Sequence, residues 1–505
     1  MSISALAPSP VKESNRWAVL ALLGVAQLMV VLDATIVNIA LPSAQTALHF
    51  STDSRQWVVT AYALSFGSLL LLGGKLGDLF GRKWTFIGGL VGFACASAIG
   101  GLAQSFGMLV AARALQGAFG ALLAPSALSL LTVTFQGSPD RAKAFGIFSA
   151  IAGGGASVGL LLGGALTEAL SWRWCLYVNL AIAVPTAFAA LRLLRNQGNP
   201  DRPRIDLPGV LAASAGLFGL VYGFSNAETS SWSDPITITA LAVSAVLLTG
   251  FIALERRVEY PLLPLHIVWD RARGGAYATI ALAGSAVFAV FLFLTYYMQQ
   301  NLGYSPLTTG LGFLPMTAMI VLTSTTVQTR VLHRTGARPL VAAGMTLGII
   351  AMLLLTQLTP HGAYVSHVLP ALLLTGVGMG CIFAPAFSTA TLGVKRTDAG
   401  IASAMVNTSQ QVGGSVGTAL LSTIFAGAAA SFISVHAKSA GLANAASIHG
   451  YTTAFEWAAA LFGAGLLVAL LVLPSDGAAR ARAAQAQAQA QAQTRSELNL
   501  SLETT

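Results

Sequence analysis

The stretch Gly120-Ala-Leu-Leu-Ala-Pro125 recurs 260 residues further along the chain as Gly380-Cys-Ile-Phe-Ala-Pro385. In the same order, Gly155-Ala-Ser-Val-Gly159 recurs after 258 residues as Gly413-Gly-Ser-Val-Gly417. Two shorter matches at similar offsets are Asp140 with Asp398, and Gly81-Arg-Lys83 with Gly336-Ala-Arg338. Four matches in one order and at a nearly constant offset predict a duplicated unit.

The composition indicates that lipid covers most of the protein. Of the 505 residues, 55% are hydrophobic and only 9% are charged, with a mean hydropathy of +0.72. A soluble domain carries about 25% charged residues, so this chain has too little polar surface for a water-soluble particle of its size. The net charge of +9 therefore indicates the charge bias of membrane loops rather than a nucleic-acid partner.

Hydropathy predicts fourteen membrane-spanning helices of about 20 residues each. They lie near 17–39, 56–74, 84–102, 107–133, 144–168, 174–194, 207–225, 234–254, 275–298, 307–329, 339–358, 367–391, 401–427 and 451–473. The duplicated unit then comprises six helices, and the seventh and eighth helices are an insertion between the copies. The predicted fold is an all-α membrane protein with two six-helix bundles plus two extra helices. Parallel duplicated bundles handle substrate between their halves near the membrane midplane.

The positive charges predict the orientation. In this arrangement, 23 of the 27 Lys and Arg residues fall on the side of the N-terminus. The opposite side holds Arg55, Arg173 and Lys438, and Arg113 lies inside a span. Because Lys and Arg concentrate in cytoplasmic loops, both termini are predicted to be cytoplasmic and the protein to be a multi-pass protein of the inner membrane.

The chain is accordingly divided into five segments. They are a cytoplasmic N-terminus (1–16), an N-terminal six-helix bundle (17–194), a linker with the two inserted helices (195–274), a C-terminal six-helix bundle (275–473) and a low-complexity cytoplasmic tail (474–505).

Asp33 is the main candidate for chemistry. It lies well inside the first predicted helix, where an aspartate costs on the order of 2.5–3.5 kcal/mol on insertion scales. A proton, a cationic substrate or a hydrogen-bond partner such as Asn38 would offset that cost. The duplication places Val290 at the corresponding site, so the repeat does not explain the acid. The alternative is a structural aspartate that caps a break in the helix.

Arg113 is the second candidate, a few turns into the fourth predicted helix. An arginine stays charged when buried, so it needs a carboxylate or backbone carbonyl groups as partners. It could act on the proton affinity of a neighbouring acid, and the alternative is a purely structural salt bridge.

A third candidate is the turn Gly74-Lys-Leu-Gly-Asp78-Leu-Phe-Gly81-Arg82-Lys83 between helices 2 and 3. Glycines permit a tight turn, and Asp78 can accept hydrogen bonds from the N-terminus of a facing helix. Arg82 and Lys83 are predicted to anchor the lipid boundary. The alternative is ordinary loop charge, which the combined spacing disfavours.

Two further features carry weaker signals. Gly155, Gly159 and Gly163 share one face of the fifth helix, and such spacing permits close helix packing. Glu456 is predicted near the outer end of the last helix, either as a substrate contact or as an interfacial residue. Glu168, at an outer helix end, is predicted to be structural.

The sequence argues against an enzyme. No His/Cys/Asp cluster has metal-ligand spacing, and the G-x-x-x-x-G-K-[ST] phosphate loop is absent. Cys95, Cys175 and Cys381 lie unpaired in apolar stretches and are interpreted as small apolar fillers. Neither a metal nor a cofactor is therefore expected.

Several stretches together resemble the fourteen-span drug:proton antiporters of the major facilitator superfamily, the EmrB/QacA type. Leu32–Pro42 is similar to that family's helix-1 motif, Gly74–Lys83 to its loop motif, and Arg113, Gln116 and Gly117 to its helix-4 motif. Further similar stretches are Trp172–Asn179 and Gly303-Tyr-Ser-Pro306.

The resemblance implies proton-coupled efflux of small lipophilic, antibiotic or cationic compounds by alternating access. It places Asp33 and Asn38 at the acidic and amide positions of the helix-1 motif, and Arg113 and Gln116 in a motif implicated in proton transfer. The partners it implies are a small-molecule substrate, protons and the bilayer, with a monomer expected and the proton gradient as the driving force.

The sequence departs from the family pattern in the fifth helix. The family motif has Gly-Pro followed by Gly-Gly, whereas this chain has Gly159-Leu160 followed by Gly163-Gly164. Because the proline is missing, a facilitator or importer of the same fold, without proton exchange, stays open as the alternative function.

Overall fold

The computed structural model describes residues 13–50, 54, 57–136, 138–195, 206–360, 362–436 and 441–474. Within these ranges the chain forms helices and short connections, and none of the described residues lies in a β-strand. Fourteen helical segments in the described ranges are long and apolar enough to cross a membrane. The predicted all-α class and the number of spans are confirmed.

The first copy of the duplicated unit supplies six of these spans. They are α1 (Glu13–Leu48), α2 (Trp57–Phe80), α3 (Arg82–Gly101), α4 (Phe106–Thr134), α5 (Arg141–Ala169) and α6 (Trp174–Leu193). Their sequences are dominated by apolar residues, and a helix satisfies every backbone hydrogen bond within the segment, as lipid requires. Ser105 caps α4 by accepting a hydrogen bond from Met108 N at 3.3 Å, as favoured at this position.

The inserted hairpin follows as α7 (Leu207–Thr229) and α8 (Pro235–Glu255). Both helices begin at an aspartate whose side chain accepts backbone N–H bonds of the first turn, Asp206 from Gly209 and Asp234 from Ile236 and Thr237. Both also carry a proline in that first turn, where its missing N–H is tolerated.

The second copy begins after a short helix, α9 (Leu265–Trp269). Its helices are α10 (Arg271–Tyr296), α11 (Pro306–Gly312), α12 (Leu314–Thr326), α13 (Leu332–Thr335), α14 (Ala337–Leu355), α15 (Leu369–Ala390), α16 (Ala399–Val435) and α17 (Leu442–Leu471). Three π-helical turns extend these helices: Tyr297–Asn301 follows α10, Val327–Val331 follows α12, and Tyr364–Val368 precedes α15.

The duplication is visible in the packing of equivalent helices. α1 packs along α5 in the first copy, and α10 packs along α16 in the second. A Cβ added to Gly159 of α5 would lie 3.0 Å from Leu32 O, and one added to Gly417 of α16 would lie 2.5 Å from Ser285 Cα. Equivalent glycines thus let the backbones approach closely in both copies, which agrees with the repeat found in the sequence.

The inserted hairpin lies against both copies. α7 packs on α2 and on α16. Thr60 Oγ1 of α2 and Ser225 Oγ of α7 are 3.3 Å apart, and Trp232 Nε1 donates a 2.6 Å hydrogen bond to Thr423 Oγ1 of α16. The insertion is therefore part of the junction between the two copies.

Several helices are longer than hydropathy predicted. α1 continues to Leu48, α2 to Phe80 and α16 to Val435, and α17 begins at Leu442 rather than near 451. The predicted turn over Gly74–Lys83 is therefore wrong in extent, because only Gly81 separates α2 from α3. Hydropathy detects only the segment that lipid requires to be apolar, whereas backbone hydrogen bonding continues into polar turns beyond it. Glu456 consequently lies in the middle of α17, a 30-residue helix, and the prediction that it is near a helix end is wrong.

Some predictions fall on residues outside the described ranges. These are the N-terminal segment 1–12, part of the linker (196–205) and the low-complexity tail 475–505. Their cytoplasmic location and the five-segment division stay predictions.

Candidate functional site

Asp33 and Arg113 form an ion pair in the interior of the first copy. Arg113 Nη1 of α4 donates to Asp33 Oδ2 of α1 at 2.6 Å. The exposed fraction is 0% for Asp33 and 1% for Arg113. Burial of two charges is costly, and their attraction offsets this cost only when further hydrogen bonds satisfy the remaining polar atoms.

Two amide side chains provide these further hydrogen bonds to Asp33. Gln116 Nε2 donates to Asp33 Oδ1 at 2.9 Å, and Asn179 Nδ2 of α6 donates to the same oxygen at 2.6 Å. Gln116 Oε1 also accepts from Arg113 Nη1 at 2.9 Å. Both carboxylate oxygens therefore have donors, as an ionised aspartate requires.

Ser97 of α3 completes the hydrogen-bond network. Its Oγ accepts from Gln116 Nε2 at 2.6 Å and from Asn179 Nδ2 at 3.1 Å. Ser97, Gln116 and Asn179 are each fully buried. Side chains from α1, α3, α4 and α6 thus meet at one point, and we call this group of Asp33, Ser97, Arg113, Gln116 and Asn179 the Asp33 cluster.

Helix α2 contributes a second set of contacts to Arg113. Arg113 Nε donates to Val58 O at 3.2 Å, and the guanidinium carbon lies 4.4 Å from the centre of the Tyr62 ring. Cation–π contacts of this kind stabilise a desolvated arginine. Arg113 is therefore held from two sides, by the Asp33 carboxylate and by α2.

The predicted glycine face of α5 packs against α1 next to Asp33. A Cβ on Gly155 would lie 3.0 Å from Val31 Cγ1, and one on Gly163 would lie 2.9 Å from Ile36 O. Gly159, between them, would overlap Thr35 Oγ1. Gly164 faces elsewhere, since its nearest neighbour is Leu307 Cδ1 at 3.9 Å. Three of the four glycines thus set the distance between α5 and the segment that carries Asp33.

A second group of predicted residues joins the two copies. Asp78 Oδ1 accepts from Gly400 N at 3.1 Å, and Asp78 Oδ2 accepts from Ile401 N at 3.3 Å. These N–H groups lie in the first turn of α16, where the helix dipole favours an anion. The expected hydrogen bonds from a facing helix N-terminus are therefore present. We call the contact of Asp78 with Gly400 and Ile401, together with the Arg82 side chain that pairs with Asp78, the latch.

The helix backbones touch beside the latch. A Cβ on Gly74 would lie 2.7 Å from Gly400 O and 2.7 Å from Ala404 Cβ. Only glycine at position 74 permits this approach of α2 to α16. At the end of α2, Gly81 has a φ of +94°, a backbone conformation that residues other than glycine rarely adopt.

Arg82 and Lys83, the first two residues of α3, differ in environment. Arg82 is 7% exposed and donates from Nη2 to Asp78 Oδ1 at 2.8 Å. The prediction that Arg82 anchors the lipid boundary is wrong, because its charge is needed beside the buried Asp78 carboxylate. Lys83 is half-buried and donates from Nζ to Leu191 O at 2.8 Å.

Two predicted site residues are not part of either group. Glu456 is exposed on α17 and makes none of the hydrogen bonds of the Asp33 cluster or the latch. Asn38 lies in α1, but its side chain is outside the described residues, so its predicted role stays a prediction.

Sequence reasoning missed Ser97, Asn179 and Tyr62. Asn179 lies within Trp172–Asn179, a stretch noted only for its resemblance to the family. An amide inside an apolar helix is costly to bury without partners, and this signal would have identified it. Within the described ranges, no group of three or more His, Cys, Asp or Glu residues is arranged to hold a metal ion.

A duplicated bundle of membrane helices is an architecture of membrane transporters. Residues 23–418 match the family model of the Major Facilitator Superfamily, and the chain belongs to that superfamily. The predicted fold class and the prediction of a multi-pass membrane transporter are thereby confirmed.

Two relatives agree with this membership, and one solved structure shares the fold. The chain is 46% identical over 461 residues to the puromycin resistance protein pur8 of Streptomyces alboniger, covering 91% of each sequence. It is 40% identical over 418 residues to the cephamycin export protein CmcT of Amycolatopsis lactamdurans, covering 82% of this chain and 86% of that protein. The crystal structure of the human organic anion transporter MFSD10 (TETRAN) shares the fold, with a TM-score of 0.60 at 16% identity over 90% of this chain and 99% of that one.

Proposed function

We propose that the protein exports an antibiotic or a related small lipophilic compound across the cytoplasmic membrane in exchange for protons. The names of two relatives support export, since one is a puromycin resistance protein and the other a cephamycin export protein. Both align over more than four-fifths of their own length. Because puromycin and cephamycin differ chemically, the relatives support a class of substrate rather than one compound.

The buried ion pair between Asp33 and Arg113 is the observation that carries the proton coupling. An acid inside a membrane protein marks a proton or ion path by default. A proton and the Arg113 guanidinium compete for the Asp33 carboxylate. When Asp33 takes up a proton, Arg113 loses its ionic partner and retains Gln116 Oε1, Val58 O and the Tyr62 ring. Protonation therefore changes how α1 is held to α4.

The latch supports alternating access. It links α2 of the first copy to α16 of the second, and the backbones meet at Gly74 and Gly400. A rocking motion of the copies has to break these contacts before substrate can pass at this end. Because the Lys and Arg bias predicts a cytoplasmic N-terminus, we assign the latch to the cytoplasmic side, and the state described here is closed on that side.

Polar atoms without hydrogen-bond partners between α5 and the second copy indicate where the two copies separate during the rocking motion. A Cβ on Gly146 of α5 would lie 3.0 Å from Ser324 O and 3.0 Å from Gln328 Cβ. Ser149 Oγ, Ser324 Oγ and both amide atoms of Gln328 are buried without a partner among the described residues. Such groups are unfavourable when buried, so they gain hydrogen bonds to water when this contact separates.

The alternative function is a facilitator of the same fold. α5 runs without interruption from Arg141 to Ala169, with Leu160 where the antiporter motif has a proline. Because that proline is missing, the alternative is a transporter in which substrate movement does not require proton exchange. The two functions differ in one measurable property, the dependence of substrate movement on a proton gradient.

Inverted membrane vesicles containing the protein provide the test. Radiolabelled puromycin is added with and without an imposed inside-acid gradient. Accumulation above equilibrium that a protonophore abolishes supports proton-driven export. Equilibration to the same level with and without the gradient would establish the facilitator instead.

A further inference from the structure

The base of the inserted hairpin contains a pair of buried acids that the proposed transport mechanism does not use. Asp206 precedes the first turn of α7, and Glu255 is the last residue of α8. Their exposed fractions are 8% and 5%. Buried carboxylates normally have a cationic or metal partner, but none of the described Lys, Arg or His side chains forms an ion pair with either acid.

The two carboxyl groups face each other over Gly209. A Cβ added to Gly209 would overlap Asp206 Oδ2 and lie 2.8 Å from Glu255 Oε1. Three of the four oxygens accept backbone hydrogen bonds: Asp206 Oδ1 from Gly209 N at 3.1 Å, Glu255 Oε1 from Leu262 N at 3.2 Å and Glu255 Oε2 from Leu263 N at 2.9 Å. Asp206 Oδ2 is buried without a partner among the described residues, so one oxygen that needs a donor is directed at the other acid.

Within the described ranges, the surrounding charges do not neutralise both acids. Lys75 of α2 is a basic group within electrostatic range of Asp78, Asp398, Glu255 and Asp206. Its Nζ donates instead to Pro261 O at 2.7 Å. Arg82 pairs with Asp78, and His266 of α9 lies 3.9 Å from Asp398. Arg256 and Arg257, next to Glu255 in sequence, are exposed.

We propose that Asp206 and Glu255 form a proton-binding site in which the two carboxyl groups share one proton. The proton supplies the donor that Asp206 Oδ2 lacks and removes the repulsion between two buried negative charges. With Lys75 nearby, one carboxylate and one carboxylic acid leave this region close to neutral. The site lies outside the Asp33 cluster and does not depend on proton-driven export.

The proton connects the hairpin to the latch. Glu255 accepts hydrogen bonds from Leu262 N and Leu263 N and so fixes the connection 256–264 between α8 and α9. In the same connection, Pro261 O accepts a hydrogen bond from Lys75, which lies one turn before Asp78. Loss of the proton places two negative charges in contact and loosens this connection. The inserted hairpin thereby stabilises the closed latch while the proton is bound.

The experiment is an infrared titration of purified full-length protein in lipid nanodiscs. The background is Asp33→Asn, so that the site on α1 cannot contribute and transport is not needed. Asp206→Asn and Glu255→Gln are made in this background, because each amide still offers an acceptor oxygen to the backbone N–H groups. Glu168→Gln, at an exposed acid, is the matched control, and size-exclusion chromatography verifies folding.

Above the pH at which exposed carboxyl groups ionise, we expect a remaining C=O stretching band of a protonated carboxylic acid that disappears on raising the pH further. The band is lost in Asp206→Asn and in Glu255→Gln and is unchanged in Glu168→Gln. A band that persists in both variants, or that is lost in only one, would overturn the shared proton. A background protein that shows no such band at any pH would overturn it as well, and a response to sodium ions in its place would identify a metal-cation site.

Discussion

The guanidinium of Arg113 donates to the carboxylate of Asp33 at 2.6 Å, across the interface of α4 and α1 and shielded from solvent on all sides. The sequence contains both residues inside predicted helices, separated by 80 positions. Their contact makes each residue the partner that the other requires. It also makes the pair sensitive to a single proton, which is the basis of the proposed coupling.

Removal of Arg113 alone is expected to be strongly destabilising. Arg113→Leu leaves the Asp33 carboxylate buried without its cation, and breaking a buried pair in this way costs about 3–5 kcal/mol. The double variant Asp33→Asn, Arg113→Leu removes both charges and should recover part of the loss. Thermal unfolding in detergent measures both variants and the single variant Asp33→Asn. A double variant whose loss of stability equals the sum of the two single losses would show that the charges are not coupled.

Asn179 is expected to matter although sequence reasoning overlooked it. Asn179→Leu removes one of the two donors to Asp33 Oδ1 and one of the two donors to Ser97 Oγ, and a hydrogen bond to a charged group contributes about 1.5–3 kcal/mol. We expect a lower melting temperature and slower substrate transport in proteoliposomes. Leu180→Ala, at the half-buried neighbouring residue of α6, is the control for a general packing loss. Equal transport rates for Asn179→Leu and wild type would show that Asn179 does not contribute to transport.

Opening at the latch can be followed with a reporter cysteine. Ser403 of α16 is fully buried, and Ser403→Cys in a protein without its three native cysteines replaces one small side chain by another. Asp78→Asn removes the ion pair to Arg82 and weakens the bonds to Gly400 and Ile401. We expect alkylation of the reporter to become several-fold faster. An unchanged alkylation rate would mean that Asp78 does not hold the two copies together at this end.

The glycine face of α5 gives a stability prediction. Gly159→Ala would place a Cβ against Leu32 O at 3.0 Å and over Thr35 Oγ1, and such overpacking costs about 1–3 kcal/mol. Gly88→Ala in α3 is the matched control, since its added Cβ meets no atom within 4 Å. The melting temperature should fall for Gly159→Ala and hold or rise for Gly88→Ala. A similar effect of both substitutions would argue against close packing of α5 on α1.

The sequence was most informative where lipid imposes a simple rule. The sequence alone shows the fourteen apolar segments and the charged residues inside apolar helices, because burial of polar groups in lipid is costly. It also shows the repeat. The contact of Asp78 with a helix N-terminus was also predictable, since the dipole of a facing helix favours an anion at that end. The turn around it was not, since Asp78 lies within α2, which continues to Phe80.

The pairings were not predictable in this way. Nothing in the sequence assigns Arg113 to Asp33 rather than to a backbone carbonyl, because the choice depends on how α1 and α4 are oriented in the bundle. Ser97 and Asn179 look like isolated polar residues until helices α3 and α6 bring them to the same carboxylate. Some helix ends were predicted wrongly for a related reason. The turns of α17 before residue 451 are too polar to give a hydropathy signal, so the helix was predicted to start too late and Glu456 was placed near its end.

The central claim is that Asp33 couples substrate movement to proton movement. We would reconstitute wild type, Asp33→Asn and the control Glu168→Gln in liposomes that contain an interior pH dye, and then add puromycin across an imposed pH gradient. The account predicts substrate-dependent proton movement for wild type and Glu168→Gln, and its loss in Asp33→Asn. Puromycin flux without proton movement in wild type, and unchanged in Asp33→Asn, would contradict it.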